Sequence, residues 1–323
     1  VFKPFHFVTT LKRYNTGSSA GTFPQAGLHL REDRAAGRWA VSGIVRPHNE
    51  AGVDKLGERG REIRRMTTPV IIGDCQLFLG DCREIALPDG CADMIFTDPP
   101  YGHKNNDGDL ISKWEQALGR GPSGEARPIA QDDAESAQAL ASWLFSEAPR
   151  LLATGGCCCC CCGGGGPDPQ FARWSLLMDE HLDFKQMVVW DKGPMGMGWH
   201  YRRSYETVLV GQKPGGACKW HDDSGKIENV IRPGHLGIRK IIPQADDHPT
   251  PKPWQLVAKF IGLHSLPGET ILDPFMGGGS TAEAALRMGR KFIGVEIDPA
   301  HFAATAERLQ RFLDQGDLFR AVR

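Results

Sequence analysis

Val70 to Phe78 mixes apolar and small residues and is followed by Gly80-Asp81. This predicts a short strand or hairpin that ends in a turn. Ala92 to Thr97 (ADMIFT) is a short apolar run that stops at Asp98-Pro99-Pro100-Tyr101. Two prolines lack N–H donors, so a central strand must end there. Residues 102–133 are polar, charged and rich in glycine, the pattern of a long loop. From Ala134 to Leu152 the apolar residues Leu140, Trp143, Leu144, Ala148 and Leu151 recur at helical spacing. After a Thr154-Gly155-Gly156 turn comes a run of six cysteines, Cys157 to Cys162, closed by Gly163 to Gly166. Phe171–Leu182 reads as a helix, and Phe184–Trp190 and Tyr205–Val210 as strands. Lys213–Asp247 is polar and variable in pattern. A helix is predicted at Trp254–His264, a strand at Thr270–Asp273, a helix at Thr281–Met288, a strand at Lys291–Glu296 and a closing helix at Pro299–Leu313. Strands alternating with helices imply an α/β fold with a parallel sheet.

Composition narrows the class. A chain of 323 residues with 41% hydrophobic and 24% charged residues suits one large α/β domain or two ordinary ones. No apolar run of about 18 residues predicts a membrane span. The first residues hold no apolar core of the kind a secretory signal needs. A cytoplasmic, reducing location follows as the expectation, with the ten cysteines as free thiols. The net charge of −1 gives no global basic signature. Its distribution is uneven: residues 1–65 carry 12 Lys and Arg against 6 Asp and Glu, leaving −7 for the remainder. The first methionine is Met66, and the preceding stretch shows no sustained period. We expect residues 1–65 to be a disordered or non-native extension and 66–323 to form the folded domain. The alternative for 1–65 is a loosely packed arm that contacts nucleic acid.

Two stretches carry candidate chemistry. Asp273-Pro-Phe-Met-Gly-Gly-Gly-Ser-Thr281 joins a strand to a helix through small residues. Glycines there permit positive φ and close backbone approach, and the helix start offers free N–H groups. Glu296 ends the next strand, placed to accept both hydroxyls of a ribose. The dinucleotide pattern G-x-G-x-x-G is absent, because Ala282 stands where its third glycine would be. A nucleoside cofactor without a pyrophosphate, such as S-adenosylmethionine, fits better; a plain tight turn remains the alternative. The second stretch is Asp98-Pro99-Pro100-Tyr101. The exocyclic amine of a nucleobase is a poor nucleophile, its lone pair being delocalised into the ring. The Asp98 carboxylate and the Pro99 carbonyl could each accept one amine hydrogen and so expose that lone pair. Pro100 stiffens the turn, and Tyr101 could stack on a base flipped out of a duplex.

Together, TDPPYG and DPFMGGGST resemble the amino-methyltransferases of DNA that act on adenine N6 or cytosine N4. The catalytic turn precedes the cofactor loop, the circularly permuted order of the β class. The resemblance covers about residues 70–312. It implies a Rossmann-like methyltransferase fold, a mostly parallel seven-stranded sheet with helices on both faces. It also implies S-adenosylmethionine as cofactor and double-stranded DNA as partner, with a companion restriction endonuclease and a homodimer as further possible partners. Asp81 matches the acidic residue that contacts the cofactor's adenine. The segment His248–Pro253, with Lys252, matches the one beside its methionine part. Asp273, Phe275, Gly277, Gly279, Ser280, Thr281 and Glu296 complete the expected cofactor set. Asp98, where cytosine enzymes commonly carry Ser, favours adenine. Relatives that methylate glutamine in proteins carry Asn-Pro-Pro-Tyr after the cofactor loop, so a protein substrate is disfavoured.

The family places target recognition between the two motifs, here about 213–247, with 102–133 as an active-site loop bearing His103, Lys104 and Lys113. From His200 to Lys240 there are eight Lys and Arg against four acids, among Trp199, Tyr201 and Trp220. Arg202, Arg203, Lys219, Arg232, Arg239 and Lys240 are the candidate phosphate contacts. Other classes remain open: a catalytically silent nucleic-acid-binding module, a metal-binding regulator built on the cysteines, or a dehydrogenase. Six adjacent cysteines on a strand point alternately to opposite faces and cannot converge on one ion. They suit a doubly buried strand beside the catalytic one, so no metal is expected.

Overall fold

The computed structural model describes residues 68–102, 129–163, 170–193, 204–236 and 252–321, together with the backbone of two strands further upstream. The chain divides into two compact units, Val1–Arg59 and Gly60–Arg323. In the first, strands β1 (His29–Asp33) and β2 (Arg38–Ser42) form an antiparallel hairpin with Leu30 opposite Val41. That hairpin lies in a stretch whose sequence shows no sustained period; the rest of 1–65 is outside the described residues, apart from these ten.

The second unit is built on a nine-stranded sheet. Its strands are β3 (Val70–Ile72), β4 (Cys75–Leu79), β5 (Ala92–Thr97), β6 (Leu152–Cys162), β7 (Asp183–Asp191), β8 (Tyr205–Gln212), β9 (Val230–Ile231), β10 (Thr270–Asp273) and β11 (Lys291–Glu296). They lie in the order β3-β4-β11-β10-β5-β6-β8-β7-β9. The expected count of seven is therefore corrected to nine. A hairpin turning at Gly73, φ +56°, folds the three-residue β3 back onto β4. At the other edge the two-residue β9 pairs with β7. The first is the hairpin alternative read at Val70–Phe78; the two-residue β9 is too short to show a period in sequence.

Strands β4, β11, β10, β5 and β6 are mutually parallel, so their C-terminal ends share one rim of the sheet. Strand β8 runs antiparallel to β6, and β7 antiparallel to β8. Hence the start of β8, not its end, reaches the rim where β5 and β6 stop. Gln212, at the end of β8, lies opposite Cys157 near the other rim.

Helices cover both faces. α1 (Ala134–Leu151) and α2 (Gln170–Asp179) pack Leu140, Leu144, Phe145 and Trp174 on one face, against Ile95, Leu272 and Val295. The N-cap Asp133 accepts the Ser136 N–H at 2.9 Å, satisfying one orphan donor of α1. α3 (Trp254–His264), α4 (Ser280–Arg287) and α5 (Pro299–Ala321) cover the other face, where Val257, Phe260 and Leu309 meet Met94, Phe96 and Phe292. No helix among the described residues is long and apolar enough to cross a membrane.

The cysteine run lies inside β6, hydrogen-bonded to β5 on one side and β8 on the other. Cys158, Cys160 and Cys162 join the α1/α2 face, and Cys159 and Cys161 the α3/α4 face. All six are buried, and all ten cysteines are free. The expected Thr154–Gly156 turn is absorbed into the strand as an irregularity, with Gly155 at φ +79° and a register shift between Ala92 and Met94.

Candidate active site

β5 is a central strand, and its apolar side chains are buried between the two helical layers. It must end at Pro99, so Asp98 is delivered to the rim. There the Tyr101 hydroxyl donates to Asp98 Oδ1 at 2.6 Å, and the Lys252 ammonium donates to Oδ2 at 2.6 Å. Lys252 also reaches the Tyr101 hydroxyl at 3.3 Å and stands 5.3 Å from its ring centroid. The Tyr101 ring packs edge-on against the buried Trp174 of α2. Gly102, at φ +72°, turns the chain away and donates its N–H to Asp132 at 2.7 Å. A Cβ there would come within 2.7 Å of the Ala134 Cα, so glycine is required.

Behind Asp98 stands a row of alternating charges. Lys252 pairs with Glu206 at 3.1 Å, and Glu206 with Lys192 at 2.6 Å. The Glu206 carboxyl is held down at about 2: the two ammonium groups outweigh the burial that pushes it up. Burial alone would lower the Lys252 pKa, but Asp98 and Glu206 hold it above its ordinary value. Tyr101 is pushed up by burial and by the nearby Asp98 charge, which keeps its hydroxyl a donor.

The glycine loop follows β10 on the same rim. Thr97 Oγ1 donates to Asp273 Oδ1 at 2.7 Å, joining the ends of β5 and β10. The same oxygen accepts the Phe275 N–H at 3.1 Å. Burial raises the Asp273 carboxyl to about 6 against the opposing pull of the Thr281 and Thr97 hydroxyls. Gly277 (φ +48°) and Gly279 (φ +76°) turn the loop. Thr305 and Arg308 of α5 clamp it through the Gly277 and Gly278 carbonyls, at 2.8 and 2.6 Å. Glu296, which burial pushes up, accepts the Gly277 N–H at 2.7 Å and the Asp298 N–H at 2.8 Å. Phe96, Asp98, Lys252, Val257, Asp273, Phe275, Met276, Gly277, Gly278, Ser280 and Thr281 surround an open cleft between turn and loop.

The structure brings most of the sequence-predicted residues together, with adjustments. Lys252 was placed with the cofactor by resemblance; it lines the cleft, but its ammonium sits on Asp98 and Tyr101. Asp81 follows β4, whose next residue Gly80 donates to the Glu296 carbonyl at 2.8 Å. Its carboxylate is bound by the Arg83 N–H at 3.0 Å and guanidinium at 2.9 and 2.5 Å, and Arg83 lowers its pKa against a burial that raises it. Arg232 stands just past β9 on the rim side, paired with Glu228 at 2.7 Å.

Lys219 is a correction. Its ammonium is held by Asp93 at 2.7 Å and Glu269 at 2.6 Å, at the starts of β5 and β10. The reason is the reversed direction of β8, which delivers 213–219 to the rim opposite the cleft. Arg202, Arg203, Arg239 and Lys240 lie outside the described residues, as do His103, Lys104, Lys113 and most of 102–133. Glu206 and Lys192 were missed. In sequence Glu206 is one acid among several, and only the antiparallel pairing of Cys162 with Thr207 places it beside the turn.

Comparison with known proteins agrees with this geometry. Residues 92–307 match the model of a DNA methylase family. The chain is 25% identical over 253 residues to the DNA adenine methyltransferase YhdJ of Escherichia coli (strain K12), covering 69% of this chain and 78% of that protein. It is 30% identical over 119 residues to the Type II methyltransferase M2.DpnII of Streptococcus pneumoniae, covering 34% and 44%. The solved complex of M1.HpyAVI with SAM superposes with a TM-score of 0.50 at 26% identity, over 72% of this chain and 99% of that one. The PvuII cytosine-N4-specific DNA methyltransferase shares the fold, with a TM-score of 0.51 at 17% identity over 72% and 86%. The chain belongs to the DNA methylase family, the S-adenosylmethionine-dependent enzymes that methylate adenine N6 or cytosine N4.

Proposed function

We propose that this enzyme methylates N6 of an adenine flipped out of double-stranded DNA. The observation that carries the reading is the Asp98 carboxylate, fixed by Tyr101 and Lys252 at the mouth of the cleft beside the glycine loop. The cleft fits the cofactor chemically. Phe96, Val257, Phe275 and Met276 suit its apolar parts, Asp98 and Asp273 its positive sulfonium, and the loop glycines allow close backbone approach. Bound S-adenosylmethionine supplies a methyl group on a good leaving group, so positioning of the amine provides most of the acceleration.

The chain's own residues do that positioning. A carboxylate has about four lone-pair sites, and Tyr101 and Lys252 occupy two on Asp98. The remaining sites accept one amine hydrogen, while the Pro99 carbonyl accepts the other. The nitrogen lone pair is then turned away from the ring. Tyr101 presents its ring to the base, and Trp174 keeps that ring upright. Glu296 has lone pairs left for ribose hydroxyls, and Asp81 for the cofactor's adenine once the Arg83 contact is shared. Arg232 and the basic residues at 202–203 and 239–240 contact phosphate. A companion endonuclease and a homodimer extend this reading, and the molar mass in solution checks the second.

The test is methylation of DNA by the wild type and by Asp98→Ala, with the modified base identified. N6-methyladenine is expected from the wild type, and a loss of about 100-fold or more from the variant. N4-methylcytosine would overturn the choice of base. A near wild-type rate in Asp98→Ala would overturn the role of Asp98.

A further inference from the structure

The methyl-transfer cleft uses one rim of the sheet. At the other rim a second group of reactive side chains converges. Cys157 begins the cysteine run, Cys218 lies in the segment after β8, and His264 ends α3. One ligand atom from each lies within 4.8 Å of the other two. The two sulfurs are 3.5 Å apart, across a separation of 61 residues. Two thiolates on a tetrahedral zinc ion, with Zn–S of about 2.3 Å, stand about 3.8 Å apart. We infer that Cys157, Cys218 and His264 form a binding site for a zinc-class divalent cation, with the fourth position open to solvent.

The backbone holds this group in place without a metal. The Lys213 N–H donates to the Gly156 carbonyl at 3.0 Å, and the Lys219 N–H to the Gly155 carbonyl at 3.1 Å. A Cβ on Gly155 would come within 2.3 Å of the Ala217 carbonyl oxygen, and one on Gly216 within 2.8 Å of Thr154. The glycines thus let the 213–219 segment lie directly on β6, which brings Cys218 opposite Cys157. The His264 ring is held by a backbone carbonyl, as metal-ligating histidines commonly are. Its Nδ1 lies 3.2 Å from the Lys219 carbonyl, and a carbonyl only accepts, so Nδ1 carries the proton and Nε2 keeps a lone pair. Trp220 packs edge-on against the imidazole at 5.3 Å. Cys218 is exposed and gives the ion an entry path, while Cys157 and His264 are buried. Lys219 faces this corner but is already neutralised by Asp93 and Glu269. Cys159 and Cys161 share a face with Cys157 but lie within the core, so the run contributes one ligand only.

Zinc would clip three elements distant in sequence: β6, the segment after β8, and the end of α3. Cysteine binds zinc as thiolate, so loading releases protons. The full chain, kept reduced and stripped with a chelator, is titrated with cobalt(II). One equivalent should produce thiolate-to-cobalt charge-transfer absorption, which zinc then abolishes. Free zinc at about 100 times its Kd should raise Tm by about 5–10 °C and shield Cys218 from alkylation. Cys218→Ser changes an exposed side chain and should fold; its affinity should fall more than about tenfold. His264→Gln should behave alike, and Cys91→Ser should bind normally. The proposal is overturned if cobalt gives no charge-transfer band, or if Cys218→Ser binds as the wild type does. A Cys157–Cys218 disulfide in air, with reduced protein indifferent to metal, would also overturn it. Cofactor affinity measured alongside should not change with zinc, because the cleft lies on the opposite rim.

Discussion

Glu206 offers a quantitative test of the charge row behind Asp98. Its carboxyl is held at about 2, and its two partners are Lys192 at 2.6 Å and Lys252 at 3.1 Å. An unfolded glutamate titrates near 4.3, so the difference corresponds to about 3 kcal/mol of stability at neutral pH. The side chain is 18% exposed, which leaves little solvent screening to discount. Because the folded-state pKa is depressed, the contribution is whole above the unfolded value. It declines as pH falls from about 4.5 towards 2, with about half left near pH 3. Glu206→Gln removes the charge and keeps the shape. Urea unfolding at pH 7 should show the variant less stable by about 2–3 kcal/mol, with an unchanged m-value. The gap to the wild type should narrow as the solution is acidified below pH 4.5. The variant also frees Lys252 from one of its two carboxylates. Methyl transfer should therefore slow by about tenfold while cofactor affinity holds. Equal stability at pH 7, or a gap that does not shrink in acid, would refute the charge row as a support of the turn.

Two other expectations concern the loop and the core. Gly279→Ala puts a methyl group 2.5 Å from Thr305 Cγ2 at a residue with φ +76°. A loss of about 2–4 kcal/mol and weaker cofactor binding by calorimetry should follow; an unchanged Tm would contradict the close packing of loop on α5. Alkylation of the reduced, folded chain should label the exposed Cys218 quickly and leave Cys158 to Cys162 nearly untouched. Burial pushes the Cys158 and Cys162 thiols up to about 12. Peptide mapping that found several of them labelled early would show that β6 opens.

Much of the architecture was legible because the periods are strong. ADMIFT, TILD and KFIGVE are whole strands, and WQLVAKFIGLH is a whole helix. The turn and the loop announced themselves by prolines and glycines whose backbone consequences are local. The charge row did not, because it depends on strand direction. Nothing in Tyr205–Val210 says that it enters the sheet antiparallel to β6, and that choice alone carries Glu206 to Asp98. The same reversal takes Lys219 to the opposite rim and pairs it with Asp93 and Glu269. Sequence neighbourhood suggested a phosphate contact; topology made the residue a brace between strand starts. Cys157 differed from its five neighbours for an equally non-local reason, since its partner lies 61 residues away.

Strand β6 poses a problem of alignment. A side-chain code normally fixes how a strand slides along its neighbours, because a shift by one residue turns the core side outward. Six identical residues carry almost no such code: sliding by one still leaves a cysteine at five of the six positions. The information must come from the ends of the run. Gly156 has no room for a Cβ beside the Asp93 carbonyl, 2.7 Å away, so a cysteine cannot move back into its place. At the other end, Cys162 Sγ meets the Thr207 hydroxyl at 3.0 Å. The monotonous middle of the strand is thus aligned by a glycine and a threonine, and the Asp98 turn that follows neighbouring β5 depends on that alignment to share Lys252 with Glu206.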